Sequence, residues 1–145
     1  MPNARPGLGM GKVRRPMGEA RRELRVLVAD DDEAIRLSLG DVLRRAGCRV
    51  HTASDGIEAV QILEAAPVDL LITDYDMPRM SGLELIRWCQ AILPGLPTLM
   101  IGGHDPQTVT GECAKRGVHR VLQKPFTGEQ LLVLAGELCG AELLV

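Results

Sequence analysis

Val26-Leu27-Val28-Ala29-Asp30-Asp31 is the stretch from which the rest of the chain can be read. Four apolar residues make a buried strand, and two carboxylates stand where that strand ends. Asp32 and Glu33 lengthen the acidic run, and a helical pattern starts at Ala34. Crowded like charges cost free energy unless something positive is shared between them. A second apolar run, Asp69-Leu70-Leu71-Ile72-Thr73, also ends in a carboxylate, Asp74. A third, Val118 to Gln123, ends in Lys124-Pro125. Open α/β sheets bind ligands outside the carboxyl ends of their parallel strands. The three ends therefore bring two or three acids and one amine to a single cleft.

Each element also has a plainer account. Asp30–Glu33 reads as an N-cap followed by acids favoured at a helix start, although a cap needs only one of them, with Asp32 the expected one. Asp74 reads as a turn acid before Met77-Pro78, and Lys124 as a solvated lysine before a turn proline. Three strand ends in the right order favour the shared cleft over three coincidences.

Outward from these runs, apolar strands alternate with helical segments five times. Strands are predicted at about 24–29, 49–53, 69–73, 97–101 and 118–122, and helices at about 33–46, 56–65, 82–92, 106–115 and 128–139. Ile35, Leu39, Val42, Leu43 and Ala46 recur on one face of the first helix, and Gly47 stands where a left-handed cap would end it. Ile57, Val60, Ile62 and Leu63 mark the second helix, and Leu83, Leu85, Ile86 and Ile92 the third. The fourth segment, from Pro106 to Cys113, is poor in strong helix formers, so a labile helix is expected there. The fifth is more apolar. This alternation predicts an α/β fold: a doubly wound, five-stranded parallel sheet with helices on both faces. Residues 1–22, rich in Pro, Gly and Arg, are expected to be a flexible basic leader, with Met10 and Met17 as further candidate starts. Residues 23–141 form the expected domain and 142–145 a C-terminal tail.

Composition closes off several functions. Tyr75, Trp88 and Phe126 are the only aromatics among 145 residues, which argues against a surface that stacks on nucleic-acid bases. Residues 1–25 hold seven Arg/Lys and two Glu, whereas the remainder holds ten Arg/Lys and seventeen acids. The basic segment reads as solvated, with attraction to nucleic acid or anionic lipid as the alternative. No apolar run approaches the ~20 residues of a membrane span, and residues 1–23 lack the apolar core of a secretory signal. Cys48, Cys89, Cys113 and Cys139 form no C-x-x-C pair, which argues against zinc and against a disulfide framework. Small core hydrophobes in a reducing cytoplasm are the expectation.

The chemistry the acids allow is specific. Asp30, Asp31 and Asp74 can hold a hard divalent cation, and Mg²⁺ favours oxygen sites that a phosphate completes. A carboxylate nucleophile gives an aspartyl phosphate. Lys124 at the third strand end would meet a phosphoryl oxygen as a point charge.

From about Leu24 to Leu138 the chain resembles the receiver (CheY-like) domain of bacterial two-component response regulators. The resemblance rests on Val26-Leu27-Val28-Ala29-Asp30-Asp31-Asp32, Asp69 through Pro78, Ser81-Gly82, Leu96-Pro97 and Lys124-Pro125-Phe126. It implies the flavodoxin-like strand order 2-1-3-4-5 and a cytoplasmic phosphorelay role. Asp74 would accept phosphate from a phosphohistidine of a sensor histidine kinase or histidine phosphotransfer protein. Asp30 and Asp31 would be the acidic Mg²⁺ pair, Asp76 would offer its backbone carbonyl, and Lys124 would contact the phosphoryl group. The Lys124-Pro125 bond would be cis.

Two positions depart from the family pattern. Receivers usually carry Thr or Ser at the end of the fourth strand, where Gly102 stands here, followed two residues later by His104. They often carry Tyr or Phe in the fifth strand, where Val121 stands. The phosphorylation set is complete and the usual switch is not. The leading expectation is a stand-alone, non-enzymatic receiver without a DNA-binding domain. It would act on a downstream protein or pair with a second copy through the 105–139 face. The alternative is a pseudo-receiver, an interaction module indifferent to phosphorylation. A third reading, a phosphatase of the haloacid-dehalogenase type through Asp74-Tyr75-Asp76, fails on position. That motif usually sits on a first strand, with Thr or Val where Pro78 stands here.

Overall fold

Three almost continuously buried runs build the sheet's centre. The computed structural model describes residues 23–102 and 120–143. Its strands are β1 (Arg25–Ala29), β2 (Arg49–Ala53), β3 (Leu70–Asp74), β4 (Thr98–Gly102) and β5 (Arg120–Gln123). Every pairing is parallel, in the order β2-β1-β3-β4-β5. Four helices are described: α1 (Glu33–Arg45), α2 (Gly56–Ala65), α3 (Gly82–Ile92) and α4 (Gly128–Cys139). The helix predicted at 106–115, together with His104 and Cys113, lies outside the described residues.

A parallel sheet covered on both faces needs apolar residues on both, and alternate residues of each strand serve the two sides. Val26 and Val28 of β1, Leu70 and Ile72 of β3, and Leu99 and Ile101 of β4 join Leu39 and Leu43 of α1 and Leu131, Leu132 and Ala135 of α4. Leu27, Ala29, Leu71 and Met100 face the other way, onto Ala59 and Leu63 of α2 and Leu83, Leu85, Ile86 and Cys89 of α3. Burying each such large side chain contributes about 1.5–3 kcal/mol. Cys48 and Cys89 are buried in these cores, and burial pushes the Cys89 thiol up to about 12. Leu143 packs against the α1–α4 side, so packing contacts run to that residue.

Two helix faces differ from the sequence reading. In α2 the buried residues are Gly56, Ala59 and Leu63, while Ile57 is 36% exposed. Ile92, at the last position of α3, is 56% exposed. Ile57 lies off the stripe set by Gly56, Ala59 and Leu63, and Ile92 is the final residue of its helix. The caps follow chemistry that the sequence carries. Asp32 caps α1 through bonds from the Ala34 and Ile35 amides. Gly47, just past that helix, takes φ +94, a conformation open to glycine. Ser81 with Glu84 and Thr127 with Gln130 form reciprocal capping boxes on α3 and α4.

Candidate functional site

The order β2-β1-β3 reverses the direction of winding between β1 and β3, and the crevice at such a reversal is where doubly wound sheets take ligands. Asp30 follows β1 and Asp74 ends β3, so the two acids flank that crevice. One carboxylate oxygen from each of Asp30, Asp31 and Asp74 lies within 4.8 Å of the others. The two central acids are nearly inaccessible, Asp30 at 1% and Asp74 at 8%, while Asp31 is exposed.

Their hydrogen bonding is incomplete. Asp30 Oδ1 accepts the Asp32 amide at 2.9 Å, but Asp30 Oδ2 is buried without a hydrogen-bond partner. Leaving a buried carboxylate oxygen unsatisfied is costly. Burial is the main cause that lifts the Asp30 carboxyl to about 6, with the charges of Asp74 and Asp31 adding to it. Asp74 is also raised, chiefly by burial, against the opposing pull of Lys124. The Lys124 ammonium lies 3.4 Å from Asp74 Oδ1, a loose contact for a charged pair. Lys124 is delivered by the end of β5, where its amide donates to the Gly102 carbonyl at 2.8 Å, and the Lys124–Pro125 bond is cis.

The backbone around Asp74 is held from several sides. Thr73 Oγ1 donates to the Asp74 carbonyl at 3.0 Å, and the Tyr75 amide donates to Ile101. The start of α3 closes on this point, where the Gly82 amide donates to the Tyr75 carbonyl. A Cβ at Gly82 would stand 2.0 Å from the Asp74 carbonyl oxygen, so only glycine permits the approach. Asp76 is exposed, two residues beyond Asp74. Gly102 is buried at the last position of β4, and Val121 is half-buried against the α2–α3 side of the core.

The donor set fits a hard cation. It is all oxygen, it carries excess negative charge, and it contains a buried lone pair with nothing to receive. Asp30, Asp31 and Asp74 are thus drawn together with Lys124, while Gly102 and Val121 lie on the two strands beside them. Three residues near the pocket have no counterpart in the sequence reading: Arg36, which donates to the Asp30 carbonyl, and Asp55 and Arg79, which form an ion pair across the β2–α2 and β3–α3 loops. Asp55 with Glu58 has the spacing of a helix cap and was legible as such. The distant partner of Arg79 was not.

The response regulator receiver domain model matches residues 26–135. The chain belongs to this family. A response regulator MprA from Mycobacterium ulcerans is 37% identical over 109 residues, 75% of this chain and 47% of the relative. The chain thus spans about half the length of the curated relatives it matches. Among solved structures, the chemotaxis response regulator CheY4 of Vibrio cholerae is 31% identical with a TM-score of 0.77, covering 81% of this chain and 99% of that one. A response regulator receiver domain from Clostridium thermocellum is 28% identical with a TM-score of 0.76, covering 81% and 94%. Receiver domains are signalling modules that generally bind Mg²⁺ at an acidic pocket, and response regulators interact with sensor kinases or phosphotransfer proteins. No described helix is long and apolar enough to cross a membrane.

Proposed function

We propose that this receiver accepts a phosphoryl group on Asp74 from a phosphohistidine of a sensor kinase or histidine phosphotransfer protein. The observation that carries the reading is the under-satisfied acid cluster, with Asp30 Oδ2 unpartnered beside Asp31 and Asp74 and an amine 3.4 Å from Asp74. An Asp74 carboxylate oxygen attacks phosphorus, the P–N bond breaks, and the imidazole leaves carrying a proton. Asp30, Asp31, Asp74 and the Asp76 carbonyl would hold Mg²⁺, which when bound supplies neutralisation of charge on the transferring group. Asp31, the exposed acid, would be the most direct of the acids to hold the cation, with Asp30 assisting. Lys124 meets a phosphoryl oxygen of the product.

The output is where this chain departs from its family. A ligand shifts a two-state equilibrium only by its differential affinity for the two states. Gly102 has no hydroxyl to offer the phosphoryl group, and Val121 has no ring to swing and few χ1 choices. A hydrogen bond to a charged group is worth about 1.5–3 kcal/mol, so its absence cuts the population shift by roughly ten- to a hundredfold. The same two residues favour the second reading, a pseudo-receiver whose contacts with a partner, through the 105–139 face, do not need phosphate.

Incubation with acetyl phosphate and Mg²⁺ separates the readings. Formation of a labile phosphoprotein is expected. No labelling would replace the first reading by the second, and release of inorganic phosphate much faster than the isolated phosphoprotein decays would replace both by a hydrolase.

A further inference from the structure

The loop between β3 and α3 contains a strained turn. Arg79 is the single described non-glycine residue with positive φ, at +68. The Met80 amide donates to the Pro78 carbonyl at 2.7 Å across it. An i to i+2 bond about a positive φ is the rare, unfavourable form of γ-turn. Such a conformation persists only where the surroundings over-determine it. Here the surroundings are the turn between β2 and α2, a segment with no acid in the pocket. Arg79 Nε and Nη2 donate to Asp55 Oδ2 at 2.9 and 2.6 Å. Asp55 is itself fixed, because its Oδ1 caps α2 by accepting the Glu58 amide at 2.8 Å. Gly56 abuts Met80 so closely that a Cβ there would meet the Met80 side chain and carbonyl at 2.7 Å.

The same turn reaches the other side of the pocket. Glu58 accepts from the Ser54 amide and hydroxyl at 2.7 and 2.9 Å, and Arg36 stands close enough to act on its charge. Arg36 Nη1 donates to the Asp30 carbonyl at 2.8 Å. A line of charges thus runs outside the pocket from the loop after β1, through the β2–α2 turn, to the loop after β3. These are the two loops that carry the acids.

We propose that Asp55 and Arg79 are positioning residues for the cation site, bracing the Asp74–Asp76 loop against the β2–α2 turn so that its oxygens keep their spacing from Asp30 and Asp31. This rests on the Mg²⁺ reading above. Residues behind the direct ligands commonly alter metal affinity by about ten- to a hundredfold. A purely local role at residue 79 predicts the opposite sign for one variant, because glycine adopts positive φ freely.

The test is Mg²⁺ titration calorimetry on the full chain, with thermal melts in EDTA beside it. Arg79→Gly relieves the turn but removes the brace. Asp55→Asn keeps a good helix cap and removes the charge. Both are expected to weaken Mg²⁺ binding about tenfold, the low end of the range for such residues, with melts close to the parent's. Arg79→Lys should recover part of the loss. Arg120→Met breaks another short ion pair, with Glu137 at 2.8 Å, on the opposite edge strand of the sheet, and should leave affinity unchanged. Unchanged or tighter binding by Arg79→Gly and Asp55→Asn overturns the proposal, as does an equal loss in Arg120→Met. Unfolding of both brace variants in EDTA also overturns it, since the pair would then hold the fold and not the loop. Failure of the parent to bind Mg²⁺ would instead remove the reading on which the proposal rests.

Discussion

The two ends of β3 carry the same side chain in opposite circumstances. Asp69, just before the strand, is saturated: the Arg25 amide, Nε and Nη2 all donate to it at 2.8–3.0 Å. The pair clips β1 to β3 at their amino ends. Asp74, five residues on, has a lysine at 3.4 Å and two acids as neighbours, and burial raises its carboxyl. A carboxylate met by three donors is fixed in the fold, whereas one with a single loose partner beside an unpartnered Asp30 oxygen retains unmet demand for positive charge. That contrast is the physical basis for the proposal that the chemistry belongs to Asp74 and not to Asp69.

The largest test of that contrast is all-or-none. Asp74→Asn is expected to abolish labelling by acetyl phosphate or phosphoramidate, while Asp69→Asn keeps it. Undiminished labelling of Asp74→Asn would remove the assignment.

Next in size is the pH dependence of the metal-free fold. The folded state raises the Asp30 carboxyl from 3.8 to about 6, so between those values the folded chain binds more protons than the unfolded one. Stability therefore falls as pH rises through that window. At 1.36 kcal/mol per unit the loss is about 2–3 kcal/mol for the pocket without metal. Asp30→Asn should flatten the profile and raise the melting temperature in EDTA above pH 7, and Mg²⁺ should restore the parent more than the variant. Urea unfolding across pH 4–8 measures this, and a parent more stable at pH 8 than at pH 5 in EDTA would contradict it.

At the satisfied end the sign reverses. Asp69→Asn or Arg25→Met should cost about 1–2 kcal/mol, less than a buried pair because both side chains are 30% exposed. A change below the error of a urea melt would mean the clip contributes nothing. The smallest effect lies in the readout. With beryllofluoride and Mg²⁺, NMR shifts across 105–139 should move weakly in the parent, and Gly102→Thr should enlarge them. Strong two-state shifts in the parent would show a route that bypasses Gly102 and Val121.

Much of this was legible in the chain. The continuous burial of β1, β3 and β4, with alternate residues serving the two cores, follows from apolar runs that only a doubly covered sheet can absorb. Asp32 as a cap and Gly47 as a left-handed stop are local choices, decided within a few residues. Asp30, Asp74 and Lys124 could be predicted to share one cleft because parallel strands start and end together. Ile57 and Ile92 escaped, since apolar periodicity alone does not show which of several apolar positions the buried stripe takes, nor that the final turn of a helix stays covered. What only tertiary structure decided is satisfaction. No spacing reveals that Asp69 meets three donors, that Asp30 Oδ2 meets none, or that Arg79 is held in a strained turn by a residue twenty-four positions earlier. Local conformation is set by neighbours along the chain, but whether a buried polar atom is paired depends on neighbours across space.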